Sequence, residues 1–127
     1  MGAVIVLNGE ILASAYNRRE SKNDATAHAE ILAIQKACKK LGDFRLIGAE
    51  MYVSLEPCVM CMGAILNSRI ETVFFGAKIT NGSISAEEIS NRAELNHKTQ
   101  VCGGFLEGEC SSLVSNYFKS KRKKKDC

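Results

Sequence analysis

The 127-residue chain holds no apolar run of the ~18–20 residues that crossing a bilayer requires, which excludes a membrane-spanning helix. No basic segment precedes its first apolar stretch. Met1 leads straight into Gly2-Ala3-Val4-Ile5-Val6-Leu7, so no secretory leader is expected and the cytoplasm is the expected compartment. Without an oxidising compartment, the six cysteines do not read as a disulfide framework. There is no internal repeat and no sign of a second domain. At 46% hydrophobic and 24% charged residues, the composition excludes disorder and fits one soluble domain with a single core.

The net charge of +3 is unevenly placed. From residue 119 onward, Lys119, Lys121, Arg122, Lys123, Lys124 and Lys125 face a single acid, Asp126, while the rest of the chain is slightly acidic. The expected division is therefore a folded domain over 1–118 and a basic tail over 119–127. Such a tail attracts phosphate backbones without reading sequence. A solvated, frayed end is the plainer alternative.

Hydrophobic patterning predicts alternating strands and helices, hence an α/β layer structure. Val4–Leu7 reads as a strand, Asn8-Gly9 as a tight hairpin turn, and Ile11 to about Tyr16 as the returning strand. A helix is expected from an N-cap at Thr26, with Ala27, Ile31, Ile34, Cys38 and Leu41 as its buried stripe and Gly42 as its stop. Met51–Ser54 reads as a buried strand. Pro57 then opens a helix running to about Asn67, apolar nearly all round and so expected to be buried. Thr72–Phe75 is β-branched and aromatic, hence a strand. A short helix over Ala86–Leu95, a strand near Thr99–Val101 and a last helix carrying Cys110, Leu113, Val114, Tyr117 and Phe118 complete the pattern. Cys38 and Cys110 are expected in the core, and Cys127 on the tail.

The chemistry concentrates in His28-Ala29-Glu30 and Pro57-Cys58-Val59-Met60-Cys61. One histidine and two cysteines make three zinc ligands. Structural zinc sites usually take four protein ligands, whereas catalytic sites keep one position open for water. No fourth Cys or His stands at ligand spacing, so the count favours catalysis with one Zn2+ per chain. Cys58 and Cys61, three apart at a helix start, present both sulfurs on one side. Residues two apart in mid-helix splay by ~200°, so His28 and Glu30 converge only near a helix end. Two helix N-termini then face the metal and favour thiolate and hydroxide. Glu30 is the expected proton shuttle, passing a proton from water to a ring nitrogen and a later one to departing ammonia. A zinc-stapled fold with an incidental Glu30, or a redox CxxC, are the alternatives; the redox reading leaves His28 and Glu30 unexplained. H-x-E together with P-C-x-x-C is the known signature of the zinc nucleobase deaminases.

Longer stretches resemble one branch of that group, the bacterial tRNA adenosine deaminases of the cytidine/deoxycytidylate deaminase superfamily. They are Asn17-Arg18, Asp24-Ala25-Thr26-Ala27-His28-Ala29-Glu30-Ile31, Phe44-Arg45-Leu46-Ile47, and Tyr52-Val53-Ser54-Leu55-Glu56-Pro57-Cys58-Val59-Met60-Cys61-Met62-Gly63-Ala64-Ile65. Ser68-Arg69-Ile70, Phe75-Gly76-Ala77 and, more loosely, Asn96-His97 continue the likeness. The resemblance implies a three-layer cytidine deaminase-like fold, a mixed five-stranded sheet flanked by helices, and a homodimer. It implies hydrolysis of adenosine to inosine at the wobble position of a tRNA anticodon loop, with the anticodon stem-loop as partner. Asn17 matches a substrate-contacting asparagine, Ala29 would offer backbone hydrogen bonds to the base, and His97 would line the nucleic-acid groove.

Three departures stand out. The family's usual first helix is missing, so a sheet face is expected to lie uncovered. Ile79 stands where an aspartate is frequent near the substrate sugar, and it cannot accept a hydroxyl hydrogen bond. The Ile79–Ser90 loop lacks the usual glycine-serine pattern. The competing readings are a guanine or deoxycytidylate-type small-molecule deaminase, and an inactive zinc-stabilised RNA-binding module. Inosine formed in tRNA, against turnover of free guanine or dCMP, separates the first; RNA binding without ammonia release marks the second. Removing residues 119–127 is expected to weaken RNA binding and flatten its salt dependence, measured as the slope of log affinity against log salt; an unchanged slope assigns the tail no role.

Overall fold

A computed structural model describes residues 2–17, 23–78, 84–92 and 97–104. The expected last helix, the basic tail, Ile79, Asn96, Cys110 and Cys127 lie outside these residues. Five strands form one mixed sheet: β1 (Gly2–Leu7), β2 (Glu10–Tyr16), β3 (Glu50–Leu55), β4 (Thr72–Ala77) and β5 (Gln100–Cys102), in the order β2-β1-β3-β4-β5. Strand β1 runs antiparallel to both neighbours, while β3, β4 and β5 are mutually parallel. Among the described residues, three helices join them: α1 (Ala29–Leu41), α2 (Val59–Asn67) and α3 (Ala86–Arg92). The expected mixed five-stranded sheet flanked by helices is what the chain forms.

Local chemistry sets the turns. Asn8 and Gly9 both adopt positive φ, 53° and 78°, which matches the twist of a two-residue hairpin. Gly42 closes α1 in the left-handed region, φ 74° and ψ 22°, and its N–H donates to the Cys38 carbonyl. The parallel steps β3–α2–β4 and β4–α3–β5 follow the right-handed crossover rule, which puts both helices on one face. Helix α1 packs over β1 and β2 on that face and touches α2.

Strand alternation separates the two faces. Ala13, Ile5, Met51, Val73 and Val101 pair in one row across all five strands beneath the helices. Ile5, Met51 and Val73 are completely buried there, each worth about 1.5–3 kcal/mol of transfer free energy. The neighbouring row, Ser14, Val4, Tyr52, Phe74 and Cys102, points to the opposite face. This is the face expected to lie bare. Val4, Tyr52, Phe74 and Cys102 are half-buried, and the Tyr52 and Phe74 rings stack with centroids 4.8 Å apart.

Several helix expectations need correction. Helix α1 starts at Ala29 with His28 as N-cap, not at a Thr26 cap. The Thr26 hydroxyl is already committed, donating to the Asp24 carboxylate at 2.7 Å. The buried face of α1 is Ala29, Glu30, Leu32, Ala33 and Ala37. Small residues let the helix sit close to the sheet, which moves Ile31, Ile34 and Cys38 to its half-buried edge and leaves Leu41 exposed. Helix α2 is not buried all round: Cys61, Met62, Ile65 and Leu66 face inward, while Val59 is 59% exposed. Pro57 precedes the α2 cap, Cys58, rather than opening the helix.

Candidate active site

Both ligand-bearing segments meet at the end of the sheet where the parallel strands finish. Asp24 organises the first. It accepts from the backbone N–H and hydroxyl of Thr26, its own carbonyl accepts from Ala27, and His28 N–H donates to the Thr26 carbonyl at 2.8 Å. This turn delivers His28 as N-cap in an extended conformation, φ −72° and ψ 153°. Cys58 is likewise the extended N-cap of α2, at φ −75° and ψ 176°. An extended cap carries its side chain across the mouth of its own helix. That is how His28 and Glu30 escape the splay that two mid-helix positions would show.

His28 Nδ1 lies 3.8 Å from Cys58 Sγ and 3.6 Å from Cys61 Sγ. The three ligand atoms all fall within 4.8 Å of one another, and no other such group occurs among the described residues. A nitrogen and a sulfur bonded to one zinc at tetrahedral angle, with bonds of about 2.05 and about 2.3 Å, stand about 3.6 Å apart. The donor set therefore fits that ion.

The electrostatics follow from two helix starts and two sulfurs in one small space. Cys58 is pulled down to about 5, first because the Cys61 thiol donates to it, then through the Cys61 and Met60 backbone N–H groups and His28. Cys61 is pushed strongly upward, chiefly because its proton is held by Cys58, then by burial and by the charge of Glu30. Cys58 is therefore the readier thiolate of the two. Glu30 is buried, and burial holds its carboxyl above the usual range against the opposing pull of its own backbone N–H and of Cys61.

Of the remaining expected contacts, Ala29 is buried as the first residue of α1, where a helical N–H has no intrahelical acceptor. Asn17 follows β2, whose last residue pairs with Gly2, placing it at the same end of the sheet as the sulfurs. His97 does not join them. It hydrogen-bonds the Ile70 carbonyl at 2.8 Å, just before β4, whereas the loop bearing Cys58 meets Ala77 at the other end of that strand. Six strand residues separate the two ends by about 20 Å, so His97 belongs to the far edge of the domain. Glu56, buried directly before Pro57 and Cys58, is a further polar residue of this edge that no sequence pattern singles out.

Relatives agree with this geometry. The family profile of MafB19-like deaminases matches residues 1–118. A tRNA-specific adenosine deaminase of Bacillus subtilis (strain 168) is 48% identical over 127 residues, 98% of this chain and 79% of that protein. The chain belongs to the tRNA-specific adenosine deaminase family. A solved structure from a study of A-to-I editing by tRNA:A34 deaminases superposes with a TM-score of 0.82 at 42% identity, covering 87% of this chain and 82% of the other. A guanine deaminase of B. subtilis reaches 51% identity, but over 61% of this chain and 49% of its own, with a TM-score of 0.60. A guanine deaminase from Nitrosomonas europaea covers 91% of this chain and 71% of its own with a TM-score of 0.77, but at 26% identity.

Adding Zn2+ to metal-free protein at pH 7 is expected to release protons, because the Cys61 thiol, raised in the free site, must ionise to bind. Calorimetry in buffers of different ionisation enthalpy reads this directly. Zn2+ binding without proton release contradicts ligation by the Cys61 thiolate.

Proposed function

We propose that this protein hydrolyses adenosine to inosine at the wobble position of a tRNA anticodon loop. The observation that carries the reading is the meeting of His28, Cys58 and Cys61 within 4.8 Å, with buried Glu30 beside Cys61. Zn2+ held by His28 Nδ1 and the two sulfurs would supply the Lewis acid that makes water nucleophilic near neutral pH. Three protein ligands leave one position for that water. The metal identity, one ion per chain, is part of the proposal.

Glu30 moves the protons. Its carboxylate takes one from water and delivers it to a ring nitrogen of the base; a second goes to the amine, which departs as ammonia while a carbonyl forms. Burial favours this role, because a carboxyl raised above its ordinary range can hold a proton between the two transfers. The target base must leave its stack to reach so enclosed a site, which an anticodon loop permits. Asn17 and the backbone of Ala29 are assigned to base contact.

The domain 1–118 carries this chemistry and the tail 119–127 adds charge for RNA. The exposed side chains of Val59 and Met60, beside half-buried Gly63 and Ala64, offer an apolar face on α2 for a second copy of the chain. The cytoplasm, where tRNA is modified, is the assigned compartment. No described helix is long and apolar enough to cross a membrane. A guanine-type reading is not favoured, since identity over nearly the full chain is higher to tRNA-specific adenosine deaminases, 48%, than to a guanine deaminase of similar coverage, 26%.

Glu30→Gln is expected to bind Zn2+ while losing at least about 100-fold in deamination of an anticodon stem-loop, followed by mass detection of inosine. Free guanine and dCMP should not turn over. Retained editing in the variant removes the role given to Glu30; turnover of free bases by the native chain removes the tRNA reading.

A further inference from the structure

Glu56 has no part in the chemistry above, yet it is only 6% exposed and sits two residues before Cys58. Its backbone N–H donates to the carbonyl of Ala77, the last residue of β4, at 2.8 Å. Its carboxylate accepts from the N–H of Ala86, the first residue of α3, at 2.8 Å. One residue therefore ties the end of β3 to β4 on one side and to α3 on the other. Pro57, fully buried, follows with a fixed φ and restricts Glu56 to extended backbone. Few soft torsions then remain between this double anchor and the Cys58 sulfur.

We propose that Glu56 is a positioning residue that couples the docking of α3 to the metal ligand Cys58. With the carboxylate in place, α3 and the Glu56-Pro57-Cys58 segment are held as one unit. Without it, Ala86 loses its acceptor and Cys58 must be ordered at the moment the metal binds. Coupling of this kind is reciprocal. Metal should stabilise the Ala86 hydrogen bond, and loss of that bond should weaken metal binding. The role depends on reach rather than charge: an amide of the same length still accepts from Ala86, whereas a carboxylate one methylene shorter does not arrive. This inference rests on His28, Cys58 and Cys61 being metal ligands.

The test uses the full chain with Zn2+ as probe, read by chelator competition and by hydrogen exchange at the Ala86 amide. In the native protein Zn2+ should slow Ala86 exchange by about tenfold or more. Glu56→Ala and Glu56→Asp should bind Zn2+ about 10–100-fold more weakly, the usual effect of removing a group that holds a ligand in place, and should lose the exchange coupling. Glu56→Gln should stay within about threefold of native on both readouts. If Glu56→Ala does not fold, the Asp and Gln pair still decides. Native Zn2+ affinity in Glu56→Asp, or a Gln variant as impaired as the Asp variant, overturns the proposal. A native chain that binds no Zn2+ instead overturns the metal reading beneath it.

Discussion

Bringing an imidazole and two sulfurs within 4.8 Å is the constraint around which the rest of the domain is arranged. A single helix can present Cys58 and Cys61 together, but it cannot also supply His28 and a free carboxylate from the same turn. Two helix starts must therefore face each other. His28 and Cys58 are both N-caps in extended conformation, so each swings over the mouth of its helix, while Glu30 and Cys61 stand two and three residues further in. The arrangement collects negative groups where the helix dipoles favour them. It also lowers the Cys58 thiol while raising that of Cys61, and it buries a carboxyl that would ordinarily be solvated.

The sheet is what holds those helix starts in register. Parallel strands β3, β4 and β5 end at one edge, and a crevice at the carboxyl ends of such strands is the usual seat of chemistry in open α/β sheets. Small residues on α1, Ala29, Ala33 and Ala37, allow its close approach to β1 and β2. The backbone bond from Glu56 to Ala77 and the bond from the Ala86 N–H to the Glu56 carboxylate then close the edge between the Cys58 loop and α3. Fold and site are thus linked by a few buried contacts on one side of the molecule.

Much of this was legible in the residues. Asn8-Gly9 and Gly42 announce positive φ, strand alternation marks the buried row through Ile5, Met51 and Val73, and H-x-E with C-x-x-C singles out the His28, Cys58 and Cys61 that the fold brings together. What periodicity missed has physical causes. The start of α1 was misplaced because Thr26, a good cap by type, spends its hydroxyl on Asp24. The buried stripe was misread because apolar size favoured Ile31 and Ile34, while close packing selected alanines. His97 is placed in the groove by resemblance alone, which does not reveal which end of a strand a loop joins; here it fastens to Ile70. Glu56 carries no pattern of its own, and only the fold brings Ala86 to it.

X-ray absorption at the zinc edge of the loaded protein tests the central claim most directly. The account predicts two sulfur neighbours near about 2.3 Å and two lighter atoms near about 2.0–2.1 Å, one from His28 and one from solvent. A third sulfur, a second imidazole, or no ordered metal at all contradicts it.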